Sequence, residues 1–445
     1  MFDQMLKRMR NVAQVPEHQS RMEEAIGLWS DMYHNRAPWL DKSVHSLNLS
    51  AVIASELARF STMELTSSVT GGKRASFLSG QLEPVLRDLR KITEFACAKG
   101  GVVLKPYVLG SGLAVDCVQA DCFLPTSFDS LGNLTGAVFA DCLSRGKKEY
   151  LRLERHSFQA GGYEIKNFAY EKMGTSWKEI PLQSVPEWAD LAAKLVVEHV
   201  KKPLFAYLKM PGANTVDTAS PLGVSVYHKA VDLIEQADRQ YSRLLWEFEG
   251  GELAIDASAE ALRYDDADRA YLPKLNRRLF RGLEIDAGGQ DLYSVFAPNL
   301  RDESLLNGLN EILNRIEDAC GLARGTISHP EGQIRTATEL KMMRQRSFAT
   351  VRDIQKSIES ALRDLLYAMD AWTDVYYLAP EGSWEAAFRF DDSVLTDRGA
   401  EFEEKKQLVD AGILSAWEFR MWYLGESEEQ AKASLQMDAD HVKKA

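Results

Sequence analysis

The sequence predicts an α+β fold that is mainly helical. Three observations carry this expectation. Apolar residues recur at helical spacing at both ends of the chain; a block of short β-rich runs sits between them; and one apolar stripe persists from Met343 to Met369.

The helical pattern opens with Met22, Ile26 and Trp29, which share one helix face until Pro38 interrupts it. A second helix fits Leu47 to Phe60. A third fits Leu78 to Lys99, closed by Gly100-Gly101. From Val102 the period changes. VVLKPYVLG, LAVDCV, GAVFADCL, YLRLERHSF and YEIKNFAYEK are short, rich in β-branched and aromatic residues, and separated by Gly or Ser. They predict an antiparallel sheet over about 102–172, with a hairpin turn at Gly161-Gly162.

Residues 209–223, KMPGANTVDTASPLG, mark a boundary by their turn-forming composition. A long helix follows, about Ser225 to Phe248, closed by Gly250-Gly251. Residues 251–298 read as short strands among polar residues. Asn299 is placed to cap the next helix, whose stripe is Leu305, Leu309, Ile312, Leu313 and Ile316, with a stop at Gly321. A loop over 321–335 leads to Thr336-Ala337-Thr338-Glu339, a capping-box pattern. The helix it opens runs to about Trp372 on Met343, Val351, Ile354, Ile358, Leu362, Leu365 and Met369, roughly 50 Å of helix. WEAAFRF (384–390) predicts a strand. Helices are expected over Asp397–Ala411, Ser415–Tyr423 and Ser427–Gln436.

The chain has 445 residues, enough for several domains, with 45% hydrophobic and 27% charged residues, as in ordinary globular proteins. Its net charge is −12, which argues against a tight, static nucleic-acid binder but not against a conduit along which DNA slides. The five cysteines, Cys97, Cys117, Cys122, Cys142 and Cys320, form no CxxC pair and are expected to be reduced, without zinc. The basic, amphipathic N-terminus has no apolar region after it and does not read as a secretory signal. No run of eighteen apolar residues occurs, so no membrane span is expected.

Enzyme motifs are missing: there is no GxxxxGK[ST], HExxH, GxSxG or GxGxxG, and Gly110-Ser111-Gly112 is too short a match. Asp265-Asp266 and Asp391-Asp392 are adjacent carboxylates of the kind found in solvated turns. No catalytic residue, metal ligand or cofactor is expected. Two basic groups stand out: Lys274, Arg277, Arg278 and Arg281, and Lys341, Arg344 and Arg346 at the start of the long helix. They read either as solvated faces or as contacts to DNA phosphates or to acidic groups of a neighbouring copy.

These elements, in this order, resemble the portal (head–tail connector) proteins of tailed bacteriophages, in particular the group from siphophages and prophages of Gram-positive bacteria. The matching stretches are SPLGVSVYHKAVDLIEQADRQYSRLLWEFE, NGLNEILNRIEDACGLARGTIS, TATELKMMRQRSFATVRDIQKSIESALRDLLYAMD and FRFDDSVLTDRGAEFEEKKQLVDAGILSAWEFRMWYLG. The resemblance implies a portal fold. Its parts are a wing over 1–224, comprising helices and the antiparallel sheet, and a first stem helix over 225–249. A small α/β clip over 250–299 and a second stem helix over 300–321 follow. A tunnel loop over 322–335 leads to a tunnel helix over 336–372, then a C-terminal wing strand and helical crown-like tail over 373–445.

The resemblance also implies a ring, usually of twelve copies, at one vertex of the capsid in the virion, assembled in the host cytoplasm. Double-stranded DNA would pass through it during packaging and ejection. The clip would dock the terminase large subunit and then the head–tail adaptor protein, and the wing would meet major capsid and scaffold proteins. The tunnel loop would face DNA through Arg324, Ile327, Ser328, His329, Pro330 and Glu331, with Gly325 and Gly332 giving backbone freedom. The competing expectations are another phage head structural or adaptor protein and, further off, a DNA-processing enzyme.

Overall fold

The computed structural model describes residues 2–13, 21–63, 65–258, 263–264, 270–271, 280–283, 293–329, 337–390, 398–424, 427–428 and 430–432; of residues 2–4, 256–294, 337–346 and 398–401 it describes at most the backbone. In chain order, α1 (Phe2–Ala13), α2 (Arg21–Tyr33) and α3 (Leu49–Thr62) precede β1 (Leu65–Gly71). Then α4 (Lys73–Arg87) and α5 (Leu89–Lys99) lead into β2 (Gly101–Leu109), β3 (Gly112–Gln119), β4 (Phe123–Phe128) and β5 (Leu134–Arg145). Next come β6 (Lys148–Gln159), β7 (Gly162–Met173), β8 (Ser176–Ile180), β9 (Lys194–Val197) and β10 (Ala206–Lys209). The C-terminal half holds α6 (Val231–Gly250), β11 (Ala254–Ser258), β12 (Arg263–Tyr264), β13 (Ala270–Tyr271), β14 (Phe280–Leu283) and β15 (Tyr293–Phe296). It ends with α7 (Asp302–Cys320), α8 (Ala337–Val375), β16 (Trp384–Phe390), α9 (Arg398–Asp410) and α10 (Ala416–Leu424).

Helices and largely antiparallel sheets make this an α+β protein. It divides into two compact units, Met1–Thr62 with Val69–Ala386, and Met63–Ser68 with Ala387–Ala445. β1 and β16 pair, and the chain passes between units after Thr62 and again within each of these two strands. In the smaller unit α9 and α10 meet through aromatic rings: Phe402 lies 5.3 Å from Phe419 and 5.0 Å from Tyr423, and Lys405 stands over Trp422.

The β-rich block forms two sheets rather than one, and reaches beyond residue 172. β4-β5-β6-β7-β8 is antiparallel, with β9 pairing on the same edge of β7 as β8. β10-β2-β3 is a second antiparallel sheet, closed by a strand more than eighty residues after β3. Strand alternation decides the larger sheet's faces. One face presents Leu124, Val138, Leu151, Leu153, Tyr170 and Trp177 to Met5, Leu6, Met9 and Val12 of α1. The alternate residues of β6, Arg152, Glu154 and His156, take the opposite face, where Lys105 of β2 reaches Glu154 at 2.8 Å.

Behind the smaller sheet runs α8. Its Val351, Ile354, Ile358, Leu362, Leu365 and Met369 are buried, as the helical spacing requires; Met343 lies where only the backbone is described. The helix has 39 residues, about 58 Å at the α-helical rise.

One local expectation gives way. Leu78–Lys99 is not one helix, because Asp88 ends α4 and begins α5 with φ −92° and ψ 3°. The break is invisible to periodicity since Leu78, Leu82 and Val85 stay in phase with Leu89, Ile92 and Ala96. Pro84, which lacks an N–H for the helix ladder, weakens the turn before it. The expected stop at Gly100 is present, with a left-handed φ of 88°. This glycine also lets two chain segments touch: a Cβ at Gly100 would stand 2.5 Å from the Gly223 carbonyl oxygen.

Candidate functional site

α6 and α7 form an antiparallel hairpin. Gln240 Nε2 of α6 donates to the Leu305 carbonyl of α7 at 3.2 Å, and seven residues further along α6, Glu247 meets Arg301. β11 leaves the end of α6 and pairs antiparallel with β15, which leads into α7, while β14 joins the other edge of β11 in parallel. A small sheet therefore sits at one tip of the hairpin. Nearer its start, α6 is anchored through buried Asp238, which accepts from Trp39 Nε1 at 2.9 Å and the Leu47 N–H at 2.8 Å.

Asn299 does not cap α7; the helix begins at Asp302 with Arg301 before it. The group organising this start is Glu247, 54 residues earlier. It accepts from the Arg301 backbone N–H at 3.0 Å and from its guanidinium at 3.1 and 2.6 Å. Bonds from the Arg301 side chain and then its N–H hold the Glu247 carboxyl down to about 2. A carboxyl depressed on folding adds stability above its ordinary value of 4.5, and that stability is lost as pH falls towards about 2. Glu247→Gln is therefore expected to flatten the acid limb of stability: the urea midpoint of the unaltered protein falls more steeply through this window than the variant's. Parallel slopes would contradict this assignment.

At the far end, Gly321 closes α7 in the left-handed region with φ 73°, and a Cβ there would run into Thr350 of α8. The segment after it folds back on α7. Asn310, Asn314 and Glu317 recur at i, i+4 and i+7 on one face of α7. Glu317 is 0% exposed and accepts four bonds. The N–H groups of Ile327 (2.6 Å) and Ser328 (3.0 Å) reach Oε1. The Gly325 N–H (3.1 Å) and the Ser328 hydroxyl (2.8 Å) reach Oε2. Asn310 accepts from the His329 N–H at 2.7 Å and donates to the His329 carbonyl at 3.2 Å.

The residues singled out from sequence are distributed as follows. Arg324 is exposed and ion-paired with Asp318 at 2.7 Å. Ile327 is half-buried, Ser328 is buried and His329 is exposed. Pro330, Glu331, Lys274, Arg277 and Arg278 lie outside the described residues. Arg281 stands on β14, and Lys341, Arg344 and Arg346 stand on α8, where only the backbone is described. Sequence reasoning passed over Asn310, Asn314 and Glu317. The signal was present, as three polar residues on one side of an otherwise amphipathic helix.

The cysteines are all free, and burial pushes the Cys97, Cys117, Cys122, Cys142 and Cys320 thiols up. Among the described residues no three His, Cys, Asp or Glu side chains gather to hold a metal, and no helix is long and apolar enough to cross a membrane.

A hairpin of amphipathic columns, a small sheet at its tip and a loop tied down between its second column and a 39-residue helix define a scaffold built on long helices. The family described as "Phage portal protein, SPP1 Gp6-like" matches residues 87–444. The chain belongs to this family of phage portal proteins, which are structural components of the phage particle. Among solved structures, it is similar to a chain of the neck of a native GTA particle computed with C12 symmetry. That likeness has 11% identity, covers 90% of this chain and 92% of that one, and has a TM-score of 0.43. No curated protein matches.

Proposed function

We propose that this protein is one subunit of a closed portal ring, of twelve copies as is usual in the family, at a unique capsid vertex. The ring forms the channel for double-stranded DNA during packaging and ejection. It docks the terminase large subunit and later the head–tail adaptor, while major capsid and scaffold proteins surround it. In this reading α6 and α7 are the stem, residues 250–299 the clip, the N-terminal 224 residues the wing, residues 322–335 the channel loop, and α8 the helix behind it. The segment from 373 onward completes the wing and forms a crown-like tail. The role is that of a conduit and docking ring rather than a catalyst.

The observation carrying this proposal, beside the family, is uncovered apolar surface on the hairpin. Trp246 is 65% exposed, Leu306 45% and Phe248 43%. Leu245, Leu305, Ile312 and Leu313 are only half-buried. Of the stripe expected on α7, only Leu309 and Ile316 are buried within the single chain. Apolar columns left open in this way are covered when copies stand side by side, and a head-to-tail interface closes into a ring when the rotation per copy closes.

Electron microscopy and mass photometry test this. A twelve-membered ring of 50.0 kDa chains weighs about 600 kDa and shows a central hole. A persistent monomer, or particles without a hole, would favour another head or adaptor protein. Replacing Trp246 and Leu306 together by Glu is expected to leave the urea midpoint of the single chain within about 0.5 kcal/mol of the original, since both side chains face solvent. Ring assembly should require at least about tenfold more protein, each side chain losing about 1.5–3 kcal/mol of burial per interface. Unchanged assembly would remove these residues from the interface.

A further inference from the structure

We propose that Glu317 is a positioning residue of the channel, fixing residues 322–329 to α7 so that they move with the helix rather than as a free loop. The inference rests on reading 322–335 as the channel loop. A glutamate at 0% exposure on a helix face would ordinarily be out of place. Here its two oxygens take three backbone N–H groups and one hydroxyl, all from residues eight to eleven positions later. Such a carboxylate specifies backbone geometry, since each donor belongs to the segment being held.

The neighbouring polar groups extend the same clamp. Ser328 Oγ also lies 3.0 Å from Asn314 Oδ1, and Asn310 holds both the N–H and the carbonyl of His329. At the base of the segment, the Leu322 N–H donates to the Glu317 carbonyl at 2.9 Å, and Leu322 is 1% exposed. The Thr326 hydroxyl closes the turn onto the Ala323 carbonyl at 2.6 Å. The segment is thus fastened at its start, middle and end to one helix face. In a ring, the position of α7 would set how far each copy's loop base stands from the axis, and a change in helix tilt would be passed to the bore without slack.

The chemistry distinguishes close variants. A glutamine at 317 offers one acceptor oxygen, and its NH₂ group would face N–H donors; an aspartate is one methylene short. Both leave loop N–H groups unpaired.

Hydrogen exchange on the assembled protein tests the clamp. The Gly325, Ile327 and Ser328 amides are expected to exchange at least about tenfold faster in Glu317→Gln than in the unaltered protein, with the α7 amides before 317 unchanged. In averaged end-on images of the same samples, the subunit count should be retained while the narrowest part of the bore loses definition. Equal exchange in both proteins, or acceleration spread over all of α7, would overturn the proposal. Should Glu317→Gln not fold, Asn310→Ala gives the same comparison at the His329 amide. If the unaltered protein makes no ring, the channel reading fails, while the exchange comparison still decides whether the clamp exists.

Discussion

Glu154→Ala is expected to destabilise the larger unit by about 3–5 kcal/mol, the usual result of stripping one partner from a buried ion pair. The carboxylate sits between the two sheets at 13% exposure and receives Lys105 Nζ at 2.8 Å, Arg152 Nη1 at 2.8 Å and His156 Nε2 at 2.6 Å. Lys105 is 6% exposed and has the Phe139 ring 5.3 Å from its ammonium, so it has little access to water once the carboxylate is gone. Burial pushes the Glu154 carboxyl up, but the Lys105 charge, the His156 bond and Arg152 outweigh it and hold the group well below 4.5. Burial lowers the His156 pKa against the pull of Glu154, so the ring is neutral at pH 7. A neutral ring can donate from Nε2 to Glu154 and accept at Nδ1 from the Tyr163 hydroxyl, 3.0 Å away.

Two measurements separate the pair from the packing. In Lys105→Met/Glu154→Leu neither charge is left alone, and the loss in urea unfolding should be clearly smaller than for Glu154→Ala. The stability that Glu154 supplies is present above 4.5 and is lost as pH falls towards its depressed folded value, so Glu154→Ala should lose least, relative to the unaltered protein, in strong acid. A single variant costing under about 1 kcal/mol, or a double variant as damaged as the single, would show that the cluster does not hold the sheets together.

Arg74→Met should cost about 2–3 kcal/mol, read from the urea midpoint. Arg74 is 3% exposed and comes from the first turn of α4. Its Nε donates to Asp370 Oδ1 at 2.6 Å, its Nη2 pairs with Asp374, and its Nη1 donates to the Ala379 carbonyl at 3.0 Å. Asp370 and Asp374 are 28% and 58% exposed, so both can rehydrate when the guanidinium is removed. That access to water keeps the cost below that of Glu154→Ala. Arg74→Lys should recover little, because one ammonium cannot reach three acceptors arranged for a planar fork. Amide exchange over 376–382 should accelerate in both variants. A lysine variant as stable as the original would mean that charge alone, without the fork, fastens α4 to the end of α8.

Much of the scaffold is legible locally. The apolar face of α8 repeats every three or four residues, and the residues at that spacing are the buried ones from Val351 to Met369. Gly100 and Gly321 close their helices because a left-handed residue is needed there. At the start of α10 the Ser415 N–H donates to the Glu418 side chain, a bond that a Ser and a Glu three residues apart allow. The break at Asp88 was missed for a local reason: phase is preserved across it.

The candidate site was legible in outline only. The loop after α7 could be placed from Gly321, Gly325 and Pro330, yet Ser328 turns out buried against Glu317, so its side chain is engaged within the single copy. The Arg-x-Glu-x-His run of β6 showed in its alternation that three polar residues share a face, but their partner, Lys105, lies 49 residues before Glu154. The same holds at the start of α7, where Asn299 is the better cap by composition and Glu247 does the binding.

By itself, the sequence determined most of the helical columns, the stops at Gly100 and Gly321, the strand-rich block and the family they resemble, because helix period, strand alternation and glycine's backbone freedom act over a few residues. Only the tertiary structure decided that the strands divide into two sheets, that α6 and α7 stand antiparallel, and which buried charges meet. Those outcomes depend on groups brought together from distant positions, where a carboxylate takes whichever donors the folded chain delivers and no local preference names them.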